Sequence, residues 1–253
     1  MSDHEEIPES ACILAMLMTP GIGVVTLNRV ASALKESKTP LRAVIGQTPN
    51  VLRKGLSAGL EWTFEPLARC EKATIDRANF LYQRVLQTGG QWIACFDSDY
   101  PVAVRHAMDY NAPPLLTVYG DTELLTQSGV AIVGSRDPSE RGLILAEELA
   151  SWCANNERPV ISGGAQGIDI TAHHAALENG GKTVFFIPEG ALAYKGPPWV
   201  QDFIDSGKAI VVSQSIPDLE WTTSAALTRN RTITAQAQLL AVIDPGQSGG
   251  SLR

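Results

Sequence analysis

Short apolar runs, glycine-rich turns and stretches with helical spacing alternate through the middle of the chain, between residues 131 and 177. The apolar run 130–133 ends in Gly134-Ser135-Arg136, which is typical of a buried strand that opens into a loop. The run Val160-Ile161 ends in a second glycine-rich loop, 162–167, and a helical pattern follows each loop. This order predicts two βα units whose loops meet at the carboxyl edge of a parallel sheet, a geometry that binds phosphate.

The first of these helical patterns is amphipathic. Leu145, Leu149 and Trp152 share one side of the helix, while Glu147 and Glu148 lie on another. Large apolar residues on one helical face usually pack against the core. We therefore expect Leu145, Leu149 and Trp152 to face the sheet.

The alternation of strand and helix patterns continues on both sides of this stretch. Each apolar run of strand length ends in small or polar residues, so one edge of the sheet collects the candidate functional groups. Strands that alternate with helices at this spacing predict an α/β fold with a doubly wound, mainly parallel Rossmann-like sheet. The further predicted strands are 91–96, 115–119, 182–187, 209–212 and 239–243, and the further predicted helices are Trp199–Asp205 and one that Thr228-Arg229-Asn230-Arg231 opens and that runs through Gln238.

A separate helical pattern precedes this α/β part. Two apolar helices, between Ala11 and Leu34, are joined by Gly21-Ile22-Gly23, which resembles a helix-hairpin-helix element. Two interpretations are open: the glycines bring backbone amides close to a DNA phosphate, or they simply let the helices pack. We place a small N-terminal helical (SAM-like) domain at residues 1–70 and the Rossmann-like domain at residues 71–253.

Composition and charge narrow the classes of function. The net charge is −7, so nucleic acid would have to be bound by a few local arginines and backbone amides rather than by a broad basic face. No apolar run reaches the length of about 18 residues that a membrane span requires, and the acidic start does not resemble a secretory signal. The four cysteines are widely spaced, which is typical of buried, reduced thiols in the cytoplasm, where we expect the protein.

The motifs of several enzyme classes are missing. The chain has neither the P-loop of triphosphatases nor the glycine fingerprint of dinucleotide dehydrogenases, and no nucleophile–base pair stands out. We therefore expect no catalytic residues, no metal site and no cofactor, and a protein that is not an enzyme. The chemistry that the sequence does indicate is anion binding.

Arginines at the ends of predicted strands are the first candidates for that anion site. Arg136, beside Ser135, has the charge and geometry for a phosphate, although a surface ion pair with Glu140 is the alternative. Arg229 and Arg231 flank Asn230, and because they are one residue apart they point in different directions.

The loop 162–167 and the helix after it supply further candidates. Its three glycines let a phosphate or another backbone come close, tight strand–helix packing being the alternative. We interpret Asp169, or else Thr171, as a helix cap rather than a catalytic group. His173 and His174 are interpreted as neutral, hydrogen-bonded histidines, with an acid–base pair as the alternative. Ser248-Gly249 could form another phosphate-binding turn near the end of the sequence.

Taken together, these motifs resemble the DprA/Smf family of bacterial DNA-processing proteins. The matching segments occur in family order and include Pro20-Gly21-Ile22-Gly23, Tyr100-Pro101, Val133-Gly134-Ser135-Arg136, the run from Ser162 to Asp169, and Arg229-Asn230-Arg231. The resemblance implies an extended Rossmann-like domain that binds single-stranded DNA, forms a homodimer and helps a RecA-type recombinase in DNA uptake, natural transformation and recombination. By position, the DNA-binding residues would be Gly134, Ser135, Arg136, Ser162, Gly163, Gly164, Gln166, Gly167, Arg229, Asn230, Arg231, Ser248 and Gly249, supported by Asp169 and His173.

The chain departs from the family pattern at several positions. Gln166 replaces a basic residue, Gln214 replaces a glutamate, and Tyr194-Lys195-Gly196 replaces the usual Tyr-Pro. The sequence ends at Arg253, so we expect a shortened or truncated member without the usual C-terminal elements. The acidic charge and Gln166 favour an alternative function, a Rossmann-like sensor or processor of a small nucleotide-derived ligand.

Overall fold

The computed structural model describes residues 7–55 and 61–245, so the predicted turn at Ser248-Gly249 lies outside the described residues. Its centre is a seven-stranded sheet with the order β1-β2-β6-β5-β4-β3-β7. The strands are β1 (Gln91–Ala94), β2 (Leu115–Gly120), β3 (Gly129–Gly134), β4 (Val160–Ser162), β5 (Thr183–Ile187), β6 (Ala209–Ser213) and β7 (Ala237–Ile243).

Helices pack on the sheet, and several of them precede its first strand along the chain. They are α1 (Glu9–Leu17), α2 (Val24–Glu36), α3 (Pro49–Gly55), α4 (Phe64–Ala68), α5 (Lys72–Gln87), α6 (Val102–Met108), α7 (Glu140–Asn155), α8 (Ile168–Glu178), α9 (Val200–Asp205) and α10 (Thr223–Gln236). Among the residues described, no helix is long and apolar enough to cross a membrane.

The sheet is doubly wound and mainly parallel, as predicted. Strands β6, β5, β4, β3 and β7 run parallel, β2 pairs antiparallel with β6, and β1 pairs antiparallel with β2 at the end of the sheet. Because successive strand residues point to opposite faces, Val130 and Ile132 pack under α7 and α8, whereas Ala131 packs on the other face with Ile233 of α10. Because β3 and β4 pair in parallel, their carboxyl ends lie side by side.

Helix α7 contradicts one expectation. Leu145 and Trp152 are 50% and 51% exposed, and only Leu149 of the predicted apolar face contacts the core. The buried face instead carries Ala146, Ala150 and Cys153. These small side chains let the helix approach the sheet closely, and the larger residues are left on the outside.

The N-terminal helices share a core with the first strands of the sheet. Leu27 and Val30 of α2 pack in one cluster with Ala78 and Leu81 of α5. Asn28 connects this layer to the α/β part, since its Nδ2 donates to the carbonyls of Tyr110 and Ala112 at 2.9 and 2.8 Å. The four cysteines are buried and unpaired, as expected. The boundary near residue 70 stays a prediction.

Candidate anion-binding groove

A groove of about 1050 Å³ opens at the carboxyl edge of the parallel strands, between the loop after β3 and helix α10. The structure brings many of the predicted site residues together here. Trp221 and Asp137, which the sequence did not single out, lie among them. The predicted residues that line the groove are Gly134, Ser135, Arg136, Asp169, Arg229, Asn230 and Arg231.

The loops after β3 and β4 are joined to each other. The backbone N–H of Ile168 donates to the carbonyl of Ser135 at 3.1 Å. Gly167 precedes it with a φ of +85°, and a side chain at that position would collide with the same carbonyl. Glycine is required at Gly167 because it combines a left-handed backbone with this close approach. The loops after β3 and β4 are therefore in direct contact at Ser135 and Gly167.

Asp169 binds the backbone of the loop 162–167, and its predicted role as a helix cap is wrong. The N-cap of α8 is Gly167, and no side chain bonds there. The Asp169 carboxylate instead accepts from the N–H groups of Gly163 and Ala165 at 3.2 and 3.4 Å. The residue is only 6% exposed, and burial raises the pKa of the Asp169 carboxyl, while Arg229 and the backbone N–H groups act to lower it.

Arg229 fills the space beside this loop. Its guanidinium lies where the Cβ of any residue other than glycine would stand at Gly163. Arg229 is 5% exposed, and burial lowers its pKa, an effect that the negative charges of Asp169 and Glu189 oppose. Arg229 is thus a buried arginine at the floor of the groove, close to the buried carboxyl group of Asp169.

The structure corrects the position of the Arg-Asn-Arg segment in its helix. The segment does not open α10, because the helix begins at Thr223 and the hydroxyl of Thr222 caps it by accepting from the N–H of Ala225 at 3.1 Å. The arginines therefore lie in the middle of the helix, where its N-terminal amides cannot help to bind an anion. They do point in different directions: Arg229 is buried, whereas Arg231 is exposed.

Arg136 stands at the opposite side of the groove, exposed, with its guanidinium carbon 5.6 Å from the centroid of the Trp221 ring. Such a contact is a cation–π interaction. Trp221 and Arg136 are far apart in sequence, so nothing local predicted their pairing. The one available signal was a tryptophan set among polar residues, immediately before two threonines.

Several residues of the loop after β4 do not line the groove. The buried hydroxyl of Ser162 donates to the carbonyl of Ile132 at 2.5 Å, inside the sheet. The N–H of Gly163 is occupied by Asp169. Ala165 is a residue of this loop that lines the groove, whereas Gly164, Gln166 and Gly167 are not among the lining residues. The side chain of Gln166 is exposed.

His173 is a buried residue beneath this loop. Its ring stacks on Phe185 with the centroids 3.5 Å apart. The hydroxyl of Thr183 donates to the carbonyl of Val160, so it accepts from Nδ1 of His173. Burial and the nearby charge of Arg229 lower the pKa of His173 well below its usual range. His173 is therefore neutral and structural, as interpreted, whereas His174 is exposed and lies 3.2 Å from Glu178.

This burial predicts a loss of stability in mild acid. In the unfolded chain His173 has an ordinary pKa near 6.5 and takes up a proton as the pH falls, while the folded protein keeps it neutral. The unfolded state then binds more protons, so the free energy of unfolding falls, by about 1.4 kcal/mol between pH 7.5 and 5.5 for this residue. Urea denaturation at both pH values should show this difference between the wild type and H173Q.

The matched control is H174Q, which changes an exposed histidine of the same helix. H174Q should retain the loss of stability between pH 7.5 and 5.5, because it still contains His173. If H173Q also showed the full wild-type pH dependence, a neutral buried His173 would be excluded.

Comparison with known proteins places this chain in a family. The family model of DNA recombination-mediator protein A matches residues 91–253. The DNA processing protein DprA of Streptococcus pneumoniae is 36% identical over 145 residues, which are 56% of this chain and 51% of that protein. Protein Smf of Synechocystis is 23% identical over 258 residues, covering 96% of this chain and 60% of that protein. The chain spans about half the length of the first of these curated relatives.

Solved structures agree in fold. The X-ray structure of DprA from Streptococcus pneumoniae superposes with a TM-score of 0.70 and 24% identity, covering 96% of this chain and 80% of that chain. A structure of DNA processing protein A from Helicobacter pylori, described for its single-stranded DNA binding mode, has a TM-score of 0.54 and 27% identity over 64% of this chain and 73% of that chain. Since the family model covers more than half of the sequence, this chain belongs to the DNA recombination-mediator protein A family, which confirms its resemblance to the DprA/Smf proteins.

Proposed function

We propose that this protein binds single-stranded DNA in the groove between the loop after β3 and helix α10, as part of DNA processing. The observation that carries this proposal is the convergence of Arg136, Arg229 and Arg231 on one groove. A groove with cations at its floor and rim suits a polyanion better than a small neutral ligand. The family membership and the single-stranded DNA binding of the Helicobacter pylori relative support it.

The acidic overall charge makes this local arrangement important. With a net charge of −7 the protein as a whole repels a phosphate backbone, so affinity must come from short-range contacts. Arg136 and Arg231 are exposed and can pair with phosphates directly. Arg229 is buried and supplies a fixed positive charge behind them. We expect binding that is largely independent of base sequence and that weakens with salt.

The wider role is proposed from the family. We infer that the protein forms a homodimer, acts with a RecA-type recombinase in natural transformation and recombination, and works by binding rather than by catalysis. The one buried carboxyl group among the groove residues, Asp169, accepts two backbone N–H groups and is poorly placed for proton transfer.

The first test of DNA binding is R136A. We expect this variant to bind a fluorescein-labelled oligo-dT of about 20 nucleotides roughly tenfold more weakly in fluorescence anisotropy, since an exposed phosphate contact is lost. The slope of log affinity against log salt should fall by about 0.7, the value for one phosphate contact on a single strand. The melting temperature should be unchanged, because Arg136 is exposed.

R84A provides the control with the same change in charge. Arg84 is exposed on α5, which contacts β1 through the hydrogen bond from Trp92 to the Tyr82 carbonyl, at the other end of the sheet from β7. The DNA affinity of R84A should match that of the wild type within a factor of about two, since this charge is remote from the groove. A folded R136A protein with wild-type affinity would contradict the assignment of the groove.

A second candidate function is the binding of a small nucleotide-derived ligand. The observation that favours it is a group of buried polar atoms without a hydrogen-bond partner in the described part of the chain: Nε2 of His173, the hydroxyl of Tyr194 and Nε of Arg229. The Tyr194 hydroxyl lies close beneath Gly164. Thermal stabilisation by nucleoside monophosphates, but not by oligonucleotides, would favour this function over DNA binding.

A further inference from the structure

Trp221 is a large aromatic side chain that the proposed phosphate contacts do not use. It is 45% exposed, lies in the loop between β6 and α10, and lines the groove together with the arginines. Tryptophan is highly buried on average, so an indole left open beside a cationic groove requires an explanation. Folding of this domain does not supply one, because the hydrophobic clusters of the sheet do not include Trp221.

The indole is held in place by the cation–π contact with Arg136 described above. The contact orients the indole before any ligand binds, so less conformational entropy of the Trp221 side chain is lost on binding. The exposed apolar residues Leu227 and Leu240 line the same groove. Charge for phosphates and apolar surface for bases therefore occur side by side.

We propose that Trp221 stacks against a base of the bound strand. This inference rests on the proposed function and names the side chain that contacts a base rather than a phosphate. Every base has a π-face, so stacking is tolerant of sequence. In a duplex both faces of an internal base are covered by its neighbours, and the indole can stack only after a base leaves the helix.

The test compares two labelled oligonucleotides of equal length, oligo-dT and a strand of abasic sites, each also measured across salt concentrations. W221A should bind oligo-dT about tenfold more weakly than the wild type, in the range measured for the loss of one base–aromatic contact. It should bind the abasic strand as the wild type does, and its salt slope should be unchanged, because no phosphate contact is removed. W221F should retain most of the affinity for oligo-dT.

W152A is the matched control. Trp152 is equally exposed, but it lies on α7 and does not line the groove, so its removal should not alter either affinity. Circular dichroism of each variant establishes that the fold is retained.

The outcomes are distinguishable. If W221A binds oligo-dT like the wild type, the stacking role is overturned and the groove still binds DNA. If W221A weakens both strands equally and lowers the salt slope, Trp221 only positions Arg136, and the inference is also overturned. If the wild-type protein binds neither strand, the proposed function fails and this inference fails with it.

Discussion

Replacing Asp169 with alanine is expected to lower the free energy of unfolding by about 3–5 kcal/mol, because it leaves two buried N–H donors without an acceptor and a buried arginine without a nearby negative charge. Asp169 is 6% exposed, and its loss leaves the N–H groups of Gly163 and Ala165 without their acceptor. It also leaves the buried Arg229 without the nearest of the carboxyl groups that offset its charge. Urea denaturation monitored by circular dichroism would measure the loss.

A double-mutant cycle separates these contributions. The variant D169A/R229M replaces both charges by apolar groups, so it should be destabilised less than the sum of the two single variants, by about 1–3 kcal/mol. D137A removes an exposed carboxylate of the same groove and should cost at most about 0.5 kcal/mol. If D169A were as stable as D137A, the buried carboxyl group would not be what holds the loop.

Gly163→Ala has the second largest expected effect on stability, because the position has no room for a side chain. The new methyl group would overlap the guanidinium of Arg229 and stand 2.7 Å from the carboxylate of Asp169. Overpacking of this kind costs about 1–3 kcal/mol. Arg229 must move to relieve it, so oligo-dT affinity should fall together with the melting temperature.

The neighbouring Gly164 provides the comparison. A methyl group at Gly164 would meet only ordinary contacts, 3.6 Å from Phe185 and 3.8 Å from Tyr194, although its φ of +74° carries a backbone cost of about 1 kcal/mol. Combining G163A with R229A should remove most of the penalty of G163A, since the obstructing side chain is gone. If G163A were equally harmful without Arg229, crowding by that guanidinium would be excluded as the cause.

The buried unit of Asp169, Gly163 and Arg229 gives the groove its function in this proposal. It places one positive charge at the floor of the groove without exposing it, and Asp169 accepts from two N–H groups of the loop 162–167. In the proposed function the exposed cations Arg136 and Arg231, which line the groove, contact the phosphates, and Trp221 contacts a base. Such division of roles explains how an acidic protein could bind a polyanion.

Much of the fold could be predicted from the sequence, because the signals are local. The apolar runs that form β3 and β5 are each shorter than about ten residues and end in glycine or polar residues. The length and the apolar pattern of a strand can therefore be recognised within one short stretch of sequence. The predicted strands agree with the observed ones to within one or two residues. The position of Gly134 and Arg136 at the carboxyl edge of the sheet followed from parallel topology alone.

The face that α7 buries could not be predicted. The helix carries two apolar faces, one with Leu145 and Trp152 and one with Ala146 and Ala150, and both have helical spacing. Large side chains normally gain more from burial, so they were the natural choice. The distance between helix and sheet, which only the assembled structure sets, selected the small residues.

The roles of individual side chains in the groove were also decided by tertiary structure. By itself the sequence determined the fold class, the order of the elements and the edge of the sheet where the candidate anion-binding groups collect. Only the folded chain decided that Asp169 binds the loop rather than caps α8, that Arg229 is buried while Arg231 is exposed, and that Trp221 meets Arg136. The reason is physical: these contacts join residues that are distant in sequence or on different loops, and their formation depends on packing that local propensity does not encode.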